Sequence, residues 1–229
     1  MLKKLLSLIL IAPGLLLILQ GLQAGSGQDT GDKIVLKLEL PKPMFIGTPK
    51  NIRSANLERV TGKKRGVFYV PKGTVLLSAD KPATSSDMEP VIGEIEFLTD
   101  GEKAGEDGYY VELGPGVQYV QIDLEESCHL HAILVWHYHT QARVYRDMIV
   151  QISDDPDFTT GVETIFNNDH DNSSGLGIGK DKEYIEVNEG RLFDPKGVNG
   201  RYVRLYSNGN TANDMNHYVE VEVFGLPAK

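Results

Sequence analysis

The chain has 229 residues, 32 acidic against 23 basic side chains, and a formal net charge of −9. So acidic a balance disfavours a polyanionic partner such as nucleic acid, because the field of the whole molecule repels it. A single cysteine, Cys128, excludes an intramolecular disulfide framework. Stability must then come from a packed core, in which Cys128 is expected as a small buried residue rather than a nucleophile.

Lys3 and Lys4 precede an apolar run from Leu5 to Leu19, and Leu22-Gln-Ala24 leads into Gly25-Ser-Gly27. This is the pattern of a secretory signal peptide, residues 1–24, cleaved after the small Ala24. The rival reading is a retained membrane anchor, since the run approaches the roughly 20 helical residues that span a bilayer. Pro13-Gly14 inside the run and the small residues after it favour cleavage. The expected location is secreted or periplasmic, with no stable membrane insertion once the leader is removed.

Residues 25–72 read as a flexible leader followed by an extended arm. Ile34-Val-Leu-Lys-Leu-Glu-Leu40 and Gly66-Val-Phe-Tyr-Val70 are short strand candidates, and Pro41, Pro43 and Pro49 break any longer ladder between them. The arm is expected to pack on, or link to, the domain formed by residues 73–229.

From Gly73 onward short apolar runs alternate with turn-rich loops. Val120, Ile122 and Leu124, then Met148, Val150 and Ile152, then Val219, Val221 and Val223, each recur at period two. Half-buried antiparallel strands produce that pattern. Ala132–Trp136 and Tyr202–Tyr206 add two further runs. The class is all-β, a sandwich whose inward residues are expected to be Val120, Ile122, Val135, Val150, Ile152, Val203, Leu205, Val221 and Val223. The loops 85–96, 100–108, 167–182 and 207–217 are long and polar, which is where a rigid sandwich carries binding residues, although solvated connections have the same composition.

Seven segments in order carry a family resemblance: Ala79–Ser86, Leu98-Thr-Asp-Gly101, Tyr119-Val-Gln-Ile-Asp-Leu124, Ile133-Leu-Val-Trp136, Val150–Asp157, Gly200–Tyr206 and Glu220–Gly225. Over residues 73–225 the chain resembles the discoidin, or coagulation factor 5/8 type C, domain, a galactose-binding-like fold similar to family 32 carbohydrate-binding modules. That resemblance implies an antiparallel jelly-roll sandwich. The arm at 32–72 has no counterpart in the family, and the segment 167–188 reads as an insertion.

Catalytic signatures are missing. There is no His-Glu-x-x-His, Cys-x-x-Cys or Gly-x-Ser-x-Gly, and Gly175-Leu-Gly-Ile-Gly-Lys-Asp181 places Asp181 where a phosphate loop needs Ser or Thr. Asp169-His-Asp-Asn-Ser173 begins with calcium-loop spacing but continues with Ser174 and Lys180 in place of glycine and glutamate, so an Asx-rich turn is the plainer reading. His137 and His139 alternate on a strand end and could share a metal, yet no third ligand accompanies them. An enzyme is not expected.

Two functions remain open: a binding module for a glycan or glycoconjugate, and a structural or adaptor domain that docks a protein in an exported assembly. The resemblance implies a structural calcium ion held by Asp100 of the Asp-Gly loop and Glu220 of the closing strand, with Asp107 at a further ligand position and carbonyls of Phe97, Glu102 and Val219 completing the shell. It also implies a ligand face made of Asp87 and Glu89, then His137, His139 and Arg143, then Asn208, Asn210, Asn213 and His217. Tyr138 or Tyr145 would cover the apolar face of a sugar ring.

Overall fold

The period-two runs form the strands of an antiparallel sandwich whose two layers share one strand. The computed structural model describes residues 32–45, 52 and 54–227; the expected signal peptide lies outside them. The strands are β1 (Lys33–Val35), β2 (Tyr69–Pro71), β3 (Val75–Leu76), β4 (Ala83–Ser85), β5 (Val111–Leu113), β6 (Gln118–Trp136), β7 (Ile149–Ser153), β8 (Glu163–Asn167), β9 (Arg191–Phe193), β10 (Asn199–Ser207), β11 (Asn216–Tyr218) and β12 (Glu220–Leu226). The single helical turn among the described residues is 3-10, Ile95–Leu98.

Strand β6 runs for 19 residues. Its first half pairs with β4 on one side and β10 on the other, and β7 and β8 extend that layer. Its second half pairs with β9 and β12, and β3 closes that layer. Val120–Leu124 and Ala132–Trp136, read from the sequence as separate runs, lie in this one strand with polar Glu125-Glu126-Ser127 between them. These three residues are exposed and Glu125 is left-handed at φ 69°. They form the corner at which the strand passes between layers without ending.

Every residue expected to face inward is fully buried, and all of them join one cluster with Leu98, Leu113, Leu130, Tyr145 and Tyr218. Each such aliphatic side chain contributes on the order of 1.5–3 kcal/mol on removal from water. Cys128 is buried in the same cluster. Two glycines set the ladder irregularities. A Cβ on Gly200 would stand 2.2 Å from Ile152, and one on Gly225 would stand 2.4 Å from the His129 carbonyl. Both adjoin the register shifts of their strands, as expected where two backbones approach closely.

The outer faces are also covered. On the first layer Arg204 donates from Nε to Gln121 and from NH2 to the Pro156 carbonyl, and its guanidinium lies over Tyr119 and Phe158. This burial from outside explains why β7 is buried at every position rather than alternating. On the second layer Leu36, Leu38 and Phe68 of the arm pack against Ala132, Leu134, Trp136, Val219 and Phe224. The two strand candidates of the arm pair with each other, Ile34 opposite Val70, but β1 stops at Val35. Further on, Arg65 clasps the sandwich by donating to the carbonyls of Gly190 and Glu189.

Candidate ligand-binding cleft

Three register pairs align one edge of the first layer: Ser207 with Gln118, Tyr206 with Ile149, and Ile149 with Asn167. The loops before β6 and β7 and after β8 and β10 therefore leave the sheet side by side. Between them lies an open cleft of about 640 Å³, lined by Asn56, Pro115, Gly116, Arg146, Asp147, Asn168, His170, Asp171, Ser173, Glu183, Asn208 and Asp214.

Local hydrogen bonds hold its side chains in place. Asp147, at φ 51°, accepts from the Ser173 hydroxyl at 2.7 Å and from Asn208 Nδ2 at 2.9 Å through Oδ2. Asp169 is fully buried and accepts from the backbone N–H groups of Ser173 and Ser174 and from the Ser174 hydroxyl. Burial opposes its ionisation, but these donors hold its carboxyl below the usual range. Asp171 accepts from the Ser173 N–H at 3.0 Å. Carboxylate oxygens of Asp147, Asp169 and Asp171 lie within 4.8 Å of one another.

Asn168 is 1% exposed. Its Oδ1 accepts the Met148 N–H at 2.7 Å, which fixes the amide, and Nδ2 has no protein partner. A buried donor left unmatched is costly enough, about 1–3 kcal/mol, that it calls for an acceptor from outside the chain.

Glu183 comes from the same long loop and is fixed by the arm. Leu57 pairs with it in parallel, with Glu58 N–H donating to the Glu183 carbonyl at 2.8 Å and Glu183 N–H to the Asn56 carbonyl at 3.2 Å. Burial raises the Glu183 carboxyl, with His170 lowering it and Asp147 raising it further. Among the described residues none of Asp147, Asp171, Glu183 and Asp214 takes part in an ion pair.

Of the ligand residues expected from the sequence, Asn208 lines this cleft. Arg143, His217 and His137 instead meet in a buried cluster with Tyr138 and Tyr145. The Arg143 guanidinium lies over Tyr138 at 4.6 Å. Its NH1 is 3.4–3.5 Å from both ring nitrogens of His217, a position over the imidazole face rather than along a lone pair. His217 is held neutral, at about 3, by burial and then by Arg143 and His137, and its Nε2 faces Glu112 at 2.8 Å. His137 bonds Glu186 at 2.7 Å and stacks on Tyr145 at 4.4 Å.

His139 turns elsewhere, to the Lys103 carbonyl at 2.7 Å. Asn210 builds a turn, donating to Asn213 and to the Met215 carbonyl and accepting from the Ala212 N–H. Asp87 accepts from Gly114 N–H, and Glu89 is exposed. Tyr138 and Tyr145 are buried, and Arg143 rather than solvent covers the Tyr138 ring. Asp147, four residues on from Arg143, binds Ser173 and Asn208 instead.

Near the Asp-Gly loop, Glu220 is 1% exposed and accepts only the Gly101 N–H, at 3.1 Å. Burial raises its carboxyl to about 9; Gly101 and Lys103 oppose the shift, while Glu222 and Asp100 add to it. Asp100 is exposed and accepts the Glu102 N–H at 2.8 Å. Asp107 is exposed and is one of the charges acting on Tyr110, after burial, Glu112 and Tyr138. A buried carboxylate with no cation bonded to it, beside a second acid on a tight glycine turn, is a donor set that fits a hard cation.

The cleft residues Asn56, Arg146, Asp147, Asn168, His170, Asp171, Glu183 and Asp214 were not singled out as ligand residues by the sequence. The available signal was the polar insertion 167–188, whose Asx turns are those expected. Its glycine run folds back on Asn167, with Gly179 N–H donating to the Asp169 carbonyl and Lys180 N–H to that of Asn167.

No protein-family model matches the chain, and no curated protein matches it. Solved structures do. The CBM32 of AlyQ in complex with 4,5-unsaturated mannuronic acid is 19% identical over 64% of this chain and 96% of that one, with a TM-score of 0.48. A fucose-binding module of Streptococcus pneumoniae, SpX-3, is 18% identical over 67% of this chain and 99% of that one, with a TM-score of 0.48. A family 89 glycoside hydrolase from Clostridium perfringens in complex with PUGNAc is 18% identical over 68% of this chain, with a TM-score of 0.48, and this chain covers 16% of its length.

Proposed function

We propose that the protein is an exported, non-catalytic binding module that holds a glycan in the cleft at the loop end of the sandwich. The observation that carries the reading is Asn168: a buried amide donor, locked by Met148, without a protein partner, in the wall of a preformed polar cleft. Around it Arg146, Asp147, Asn208 and Glu183 offer donors and acceptors spaced for adjacent hydroxyl groups. No Phe, Tyr or Trp side chain lines the cleft among the described residues, so recognition rests on hydrogen bonding. An open site of this kind binds weakly, at about 10 μM to 1 mM, because hydroxyl desolvation offsets much of the bonding.

Export rests on the apolar leader and the small residues around Ala24. A structural calcium ion belongs to the same reading, with Glu220 and Asp100 as its carboxylate ligands. It would add positive charge at buried Glu220 beyond that of Lys103, which is bonded to Glu222, and tie the Asp-Gly loop to β12. Asp107 would join it from the same loop.

A protein-docking role has one observation in its favour. Ile34, Val35, Val75 and Leu76 are exposed around an apolar groove of about 490 Å³ that Val70 and Phe224 also line. A glycan array and calorimetric titration of the protein lacking residues 1–24, with and without calcium, separate the two. Glycan binding that Asn168→Asp abolishes supports the cleft. Silence on every glycan, together with retention of one protein partner that Val75→Asp releases, overturns it.

A further inference from the structure

The cleft is acidic in a way that its hydrogen bonds leave unresolved. Four carboxylates, Asp147, Asp171, Glu183 and Asp214, face one guanidinium, Arg146, and none of the four is ion-paired among the described residues. Buried Asp169 adds its charge from behind. Clefts with one sign of charge and low-dielectric walls concentrate that field on whatever enters.

The spacing suits a single cation. Oxygens of Asp147, Asp169 and Asp171 fall within 4.8 Å of one another. One cation can touch all three, an ammonium nitrogen among them: at about 2.8 Å in tetrahedral directions it spans oxygens about 4.6 Å apart, inside that limit. The unmatched Nδ2 of Asn168 in the same wall adds a second requirement, since it needs an acceptor. A bare divalent ion would satisfy the carboxylates and leave that amide donor facing a cation. A molecule with a positive nitrogen and an oxygen acceptor a short distance away satisfies both.

Resting on the glycan-binding reading, we infer that the cleft selects a glycan bearing free amines, with the ammonium between Asp147 and Asp171 and a hydroxyl or ring oxygen on Asn168 Nδ2. Glu183, set by its pairing with the arm, extends the negative wall toward a neighbouring residue of the oligomer. A uronate-rich glycan is rejected by the same charges, because like charges brought into a partly desolvated site repel.

The test is calorimetric titration of the full chain with three tetrasaccharides: β-1,4-linked glucosamine, its fully N-acetylated counterpart and a galacturonate. The pH is chosen to keep the amines protonated. The expected order is glucosamine about tenfold tighter than the acetylated oligomer, with the galacturonate unbound. Asp171→Asn is expected to bring the two neutralisable arms to parity, and Glu163→Gln, which removes an equal charge from exposed β8, to leave the preference intact. Equal loss in both variants means bulk attraction of a polycation and overturns the inference. So does an acetylated or uronate oligomer that binds as tightly as the amine in a manner that Asn168→Asp abolishes, a result that keeps the glycan reading. Failure of all three oligomers on a folded protein, joined by silence on the glycan array, removes the glycan reading itself.

Discussion

Leu57 and Glu183 lie side by side as a parallel bridge, joining an arm before the sandwich to the longest loop within it. The contact places Asn56 in the cleft and fixes the Glu183 backbone. Arg65→Ala removes two bonds to the Gly190 and Glu189 carbonyls that hold the arm in place. Amide exchange of Glu58 and Glu183 is expected to quicken by about tenfold or more, since each lost bond contributes about 1 kcal/mol to local closure. Exchange at Val203 and Leu205 should not change. Mass spectrometry of the exchanging protein checks both.

Asn168→Asp keeps the acceptor for the Met148 N–H and removes the donor that has no protein partner. The variant should bind any cleft ligand about tenfold or more weakly, by calorimetry, and lose stability as pH rises, because its buried carboxyl must ionise beside Asp169 without a counter-charge. Asn168→Ala also strands the buried Met148 N–H and should lower stability by about 1–3 kcal/mol in denaturant titration.

Gly190 stands at φ 63°, and a Cβ there would meet the Trp136 ring at 2.6 Å. Trp136 Nε1 donates to the Asn188 carbonyl at 3.0 Å, so the ring cannot swing away without breaking that bond. Gly190→Ala should cost about 1–3 kcal/mol by overpacking, in addition to the strain of a left-handed alanine. Trp136 is the only tryptophan. Its fluorescence reports the displacement directly.

Glu220 gives a pH dependence with a defined sign. Its folded carboxyl is raised from an ordinary 4.5 to about 9 by burial. The group's contribution is therefore fully present below about 4.5 and is lost as pH rises toward 9, because the unfolded chain releases the proton first. Without calcium, the melting temperature should fall across that window, and Glu220→Gln should flatten the fall. With calcium bound to the carboxylate the trend reverses, and Asp100→Ala should remove the calcium increment. Scanning calorimetry at several pH values, with chelator and with calcium, tests each statement.

The inward strand residues were legible because period two needs only local order: Val203 and Leu205 announce their face by their neighbours. The corner at Glu125 was not, since three polar residues inside one strand look the same as a turn until the two layers are seen. The cleft was harder still. Asn208, expected from the resemblance, lines the cleft, but Asn56, Asn168 and Glu183 converge through an arm and an insertion that the resemblance does not cover. Arg143, His137 and His217 carry the residue types of a binding face. Their burial depends on Tyr138, Tyr145 and Glu186 closing over them, which no spacing expresses.

Strand β6 belongs to both layers, so neither can be assembled and then docked as a unit. Thermal and chemical unfolding should follow one cooperative transition, with far-ultraviolet signal and Trp136 fluorescence superimposing. Folding should be slow for the chain's size, because Gln118 and Trp136, the two ends of a single strand, find partners at Ser207 and Glu220 far along the sequence. A ribosome must therefore release nearly the whole polypeptide before its centre has more than the three residues of β4 to pair with, leaving the longest strand largely unpartnered until synthesis ends.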